Sequence, residues 1–79
     1  MYEDILKHKI KELREAKDQK QQAIAEELGV SQGTYNNWET GKRVPELKTI
    51  LKIADFYEVT LDYLFGRDVE TIKKIKEKE

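Results

Sequence analysis

Cysteine is absent from the chain. That excludes a disulfide framework, a thiolate nucleophile and a cysteine-based zinc site. Histidine occurs once: His8 lies in a charged helical stretch and reads as a surface residue, not a base or a metal ligand. No glycine-rich phosphate loop and no convergent carboxylates are present, so an enzyme is not expected, nor a cofactor or metal. No apolar run approaches the roughly 20 residues of a membrane-spanning helix. The first residues are charged rather than signal-like, so a cytoplasmic chain with no membrane partner is expected. A basic excess is missing too, with 15 Lys and Arg against 16 Asp and Glu and a net charge of -1. Any positive patch has to be assembled in space from scattered residues. Strand patterns, internal repeats and low-complexity blocks are also lacking.

What remains is helical periodicity in 79 residues, enough for one small domain with a modest core. Leu6, Ile10 and Leu13 predict an amphipathic helix from about Asp4 to Lys17. The following A-K-D-Q-K-Q reads as a turn, in which Asp18 tolerates a left-handed conformation. Gln21, Ile24, Ala25 and Leu28 mark a short second helix. Gly29-Val30-Ser31 closes it and opens a third, with Val30 packed between the two. Two short helices joined this way are a helix-turn-helix unit. After an exposed K-R-V-P loop, Pro45 fits near the start of a fourth helix. Leu47, Ile50, Leu51 and Ala54 form its stripe, broadened by Ile53 and Tyr57. Thr60 caps a short fifth helix, with Asp62 in its first turn and Leu61, Leu64 and Phe65 closing the core. Gly66 ends the domain, taken as residues 1–66. Residues 67–79 are a charged extension with Val69, Ile72 and Ile75 at a spacing of three, suited to a sixth helix, a dimer seam or a tail.

The third helix organises the chain. Ser31 is a good N-cap, because its oxygen can accept from a first-turn amide. Gly41 is a good stop, since a residue without Cβ enters the left-handed region cheaply. Turning successive residues by about 100° places Gln32, Gly33, Asn36, Asn37 and Thr40 on one side. Tyr35 and Trp38 fall on the other, as core. Asparagine is a mediocre helix former, so two in mid-helix want a reason. Side-chain amides can offer a donor and an acceptor together to a base edge in the major groove.

The ordered segments I-K-E-L-R (10–14), Q-x-x-I-A-E-E-L-G-V-S (21–31), W-E-T-G-K-R-x-P (38–45), L-K-T-I-L-K-I-A (47–54) and V-T-L-D-Y-L-F-G (59–66) closely resemble the helix-turn-helix domain of the lambda-repressor and Cro family. The match runs from about residue 4 to 66. The resemblance implies an all-α, compact five-helix bundle that binds double-stranded operator DNA, commonly as a homodimer. It implies base reading by Gln32 and Asn37, with Gly33 and Asn36 on the same face. Phosphate contacts are implied at Gln21, where the side-chain amide and the helix amides can both serve, and at Ser31, Thr40, Lys42, Arg43 and Lys20. It also implies an ion pair of Arg14 with Glu39, structural in role. Four positions depart from the family pattern. Asp18 and Glu58 stand where glycine is usual, Gln19 where leucine is usual, and Lys20 where a Ser or Thr cap is usual. A turn around other residues is expected to absorb Glu58, and Lys20 exchanges a cap of about 1 kcal/mol for a phosphate contact. The reading is a sequence-specific transcriptional regulator, a repressor of prophage or bacterial type. The rival is a protein-interaction module or antitoxin on the same fold.

Overall fold

The computed structural model describes residues 2–67 together with Lys73 and Lys76. Glu3 and Asp4 lie in the first turn of the first helix, where the dipole favours negative charge, and Arg14 lies in its last. This helix, α1 (Tyr2–Ala16), begins two residues before Asp4, and it is followed by α2 (Gln21–Leu28), α3 (Gln32–Thr40), α4 (Leu47–Tyr57) and α5 (Leu61–Leu64). No strand occurs among the described residues. None of the described helices is long and apolar enough to cross a membrane. The expected seam of Val69, Ile72 and Ile75 lies outside the described residues.

The connections follow from local chemistry. Asp18 turns left-handed at φ 56°, and the amides of Asp18 and Gln19 bond back to the carbonyls of Glu15 and Arg14. Lys20 then enters α2 in extended conformation with no side-chain cap. At the other end of α2, the Gly29 and Val30 amides return to the carbonyls of Glu26 and Ala25, which tucks Val30 half-buried against the core. Ser31 caps α3, its Oγ accepting from the Thr34 amide at 3.1 Å. Thr60 does the same for α5, accepting from the Tyr63 amide at 3.0 Å. Gly66 closes the bundle: its φ is +70°, and a Cβ there would lie 2.9 Å from Ile5 Cγ2 on α1. Arg67 reaches back to the same helix, donating to the Tyr2 hydroxyl at 2.8 Å.

Leu6 and Ile10 from α1, Ile24, Ala25 and Leu28 from α2, Tyr35 and Trp38 from α3, Ile50, Ile53, Ala54 and Tyr57 from α4, and Leu64 from α5 form one core. Tyr35 meets Trp38 edge to face, with ring centroids 5.9 Å apart, a favoured geometry for aromatic pairs.

Two expectations need correction. Leu47 and Leu51 do not form the core stripe of α4; they are 64% and 44% exposed. The buried stripe is Ile50, Ile53, Ala54 and Tyr57. Both sets have helical spacing, and the contacts of α4 with α2 and α5 select the second. Glu58 is not bypassed by a turn around other residues. It takes the left-handed position itself at φ 55°, so that the Val59 amide can reach the Ala54 carbonyl at 2.9 Å.

Candidate nucleic-acid interface

The first turn of α3 is an exposed surface. Ser31, Gln32, Gly33 and Thr34 are all exposed, and Asn36 and Asn37 are half-buried on the turn that follows. Gly33 is not demanded by packing, because a Cβ there would meet nothing closer than Ser31 Oγ at 4.0 Å. Asn37 lines a shallow cleft of about 330 Å³ with Thr34, Trp38, Arg43, Val44, Pro45, Glu46 and Thr49. Thr40 is exposed, and its hydroxyl donates to the Asn37 carbonyl at 3.3 Å.

The loop after Gly41 carries the local positive charge. Lys42 and Arg43 are exposed and form no ion pair among the described residues. The loop is tied to the helix by the Arg43 amide, which donates to the Asn37 carbonyl at 3.2 Å. Lys20 is exposed at the start of α2, and its carbonyl accepts from the Ala23 amide at 3.1 Å.

Behind this surface lies a buried polar cluster. Glu39 is the one buried charged residue among those described. Its Oε2 accepts from Arg14 Nε at 2.6 Å and its Oε1 from Arg14 Nη2 at 3.1 Å. Arg14 Nη1 also donates to the Gln19 carbonyl at 2.8 Å. Gln21 completes the set, its Nε2 standing 3.1 Å from Glu39 Oε1 and 3.1 Å from Asn36 Oδ1. The side-chain amide of Gln21 therefore points its donors into the protein. A phosphate contact at this position is left to the backbone amide. Sequence reasoning missed this inward role, because residues separated by 15 and 18 positions leave no periodic signal.

Burial pushes the Glu39 carboxyl up, but the hydrogen bonds from Arg14 and Gln21 help to outweigh it, and the group is held below the usual carboxylate range. The bond to Glu39 raises the Arg14 guanidinium further. Burial, with Glu39 beside it, keeps the Tyr35 hydroxyl protonated far above its ordinary range. Burial likewise pushes Tyr57 up to about 12. Because the folded Glu39 value is depressed, its stabilisation is complete above the ordinary carboxyl value of about 4.3 and is lost as pH falls through the folded value. Thermal melts from neutral to acid pH should therefore show stability falling below about pH 4.3. Glu39→Gln should be less stable at neutral pH and flatter in that acid window. Equal acid slopes would remove Glu39 from the account.

This is the geometry of a helix-turn-helix: α2 and α3 packed at a tight turn, with α3 held from behind by α1. The helix-turn-helix family model matches residues 10–64, and the chain belongs to that family in its lambda-repressor and Cro form. Among its curated relatives, the cryptic phage CTXphi transcriptional repressor RstR of Vibrio cholerae is 34% identical over 78% of this chain and 55% of its own length. The transcriptional regulators ImmR and AnsR of Bacillus subtilis are 36% and 37% identical, covering 84% and 76% of this chain and 51% and 52% of their own. The chain thus spans about half the length of these relatives. No solved structure is significantly similar to it.

Proposed function

We propose that the chain is a sequence-specific, double-stranded DNA-binding transcriptional regulator of the cytoplasm, and a repressor that acts by occupying its operator without chemistry of its own. The observation that carries this is the exposed first half of α3, polar and glycine-bearing, presented by a buried ion pair. The relatives support it by their names as repressor and regulators. In this reading α3 enters the major groove. Gln32 and Asn37 bond base edges, Gly33 allows close approach, and Asn36 lies between them. Ser31, Thr40, Lys42, Arg43, Lys20 and the amide of Gln21 hold phosphates on either side. Two copies on a palindromic site would place their reading helices roughly 34–36 Å apart.

The test is selection of bound duplexes from a random pool, followed by titration of the winner at two salt concentrations. A two-fold-symmetric site should emerge, with a logarithmic salt slope of about -3 to -5 for the few cations available. Gln32→Ala and Asn37→Ala should relax base preference, each by about 1–3 kcal/mol of discrimination. Lys42→Ala and Arg43→Ala should weaken all sequences alike and reduce the salt slope by about 1 each. Base preference untouched by the first pair would place the reading face elsewhere. No enrichment, with binding absent even at low salt, would favour a protein-interaction role.

A further inference from the structure

A carboxylate accepts hydrogen bonds and cannot donate them. Glu39 is ionised and buried, so Gln21 has to turn its amino group, not its carbonyl, toward it. The same nitrogen stands 3.1 Å from Asn36 Oδ1. With both hydrogens of Gln21 Nε2 committed, Asn36 has to offer its oxygen inward and its amino group outward. Flipping either amide would set two donors or two acceptors face to face. One buried charge therefore dictates the polarity of a side chain on the surface, through a relay that spans α1, α2 and α3.

We propose that Asn36 reads DNA as a hydrogen-bond donor only, held in that orientation by Gln21 and Glu39, and so selects guanine or thymine at its position. This rests on the regulator reading above. Asn36 follows Gln32 by four residues and Gly33 by three, which puts it on the same helical face. An unrestrained asparagine pairs with adenine by using its oxygen and its nitrogen together. Here the oxygen already accepts from Gln21 inside the protein, which turns the amino group away from Gln21 and makes it the group left to meet a base. Guanine meets it with the acceptors N7 and O6, and thymine with O4. Adenine also offers N7 but sets a donor amino group at N6 beside it, and cytosine presents only an amino group, so both suit a donor less well than guanine or thymine. Gln21 is a positioning residue in this scheme. Its side chain need not touch DNA to shape which base is preferred.

Two experiments on the full chain separate this from the regulator reading. The first needs no DNA: side-chain amide hydrogen exchange by NMR. Slow exchange at Gln21 Nε2 with fast exchange at Asn36 Nδ2 is expected, and the reverse pattern overturns the relay. The second repeats the duplex selection with Asn36→Ala and Gln21→Met. The position whose preference disappears in Asn36→Ala should be guanine or thymine in the wild type, favoured over adenine by a factor of about 5, the low end for a base contact because the donor acts alone. Gln21→Met should relax that position alone and leave the others read. An adenine or cytosine at the Asn36-dependent position overturns the inference and leaves the regulator reading standing. So does a Gln21→Met protein that weakens every sequence alike. A wild type that enriches no sequence while keeping the amide pattern overturns the regulator reading, and the base selection proposed here with it.

Discussion

Arg14→Ala should cost about 3–5 kcal/mol, the range for stripping one partner from a buried ion pair. The side chains of Arg14 and Glu39 are 14% and 3% exposed, so solvent cannot take over the role of the lost guanidinium. Alanine would remove two bonds to the carboxylate and the bond to the Gln19 carbonyl together. Glu39 would remain buried, with Gln21 Nε2 still donating to its Oε1. For a domain of this size each kcal/mol lowers the melting temperature by about 4–8 °C, so a fall of more than about 12 °C is expected. Arg14→Lys should recover only part of this, because an ammonium cannot reproduce the planar two-pronged contact. Replacing Arg14 and Glu39 together by methionine should be milder than Arg14→Ala, since no charge is then left buried alone. A loss below about 1 kcal/mol for Arg14→Ala would put the pair in the class of screened surface contacts.

Ile24→Ala should cost about 2–5 kcal/mol, and Ile24→Val about 0.5–1.5 kcal/mol. Ile24 is fully buried on α2, a helix of eight residues. A helix that short does not persist in water by itself. It stays folded because Ile24, Ala25 and Leu28 are buried in the common core. Removing the largest of these contacts leaves a cavity between α2 and its neighbours that so small a core cannot easily close. Urea unfolding would measure the loss as a lower midpoint at unchanged slope. Leu51→Ala, on the exposed side of α4, provides the contrast and should stay within about 0.5 kcal/mol. Equal losses at the two sites would mean that the core has been drawn on the wrong face of α4.

The contrast between those residues also marks what can be read from sequence. Helix ends were legible, because Ser31, Thr60 and Gly41 act on amides and dihedrals within three or four residues of themselves. The faces of α1, α2 and α3 were legible because each has one apolar stripe. α4 has two overlapping stripes, 47-50-51-54 and 50-53-54-57, and nothing local decides between them. Glu58 misled for a different reason. Its side chain is unsuited to a left-handed turn, yet it adopts one where the Glu58 and Val59 amides close on the Asp55 and Ala54 carbonyls and Val59 packs against the core. Periodicity set Gln32, Gly33, Asn36, Asn37 and Thr40 apart from the buried Tyr35 and Trp38, but it left out Thr34, which is exposed as well, while Asn36 and Asn37 are half-buried. The pairing of Arg14 with Glu39 came from the family resemblance, since a separation of 25 residues has no period. The inward turn of Gln21 was hidden altogether, because the direction of an amide is settled by its neighbours in space.

The carboxylate of Glu39 has one further consequence. Its donors come from α1 and α2, while it sits on α3. Excising α2 and α3 as a minimal motif would keep both helices and their turn but strand this group without its guanidinium. The smallest unit that keeps Glu39 with its donors is therefore three helices rather than two. On the regulator reading proposed above, a partly assembled chain would then not read a sequence poorly; it would have no reading surface to offer.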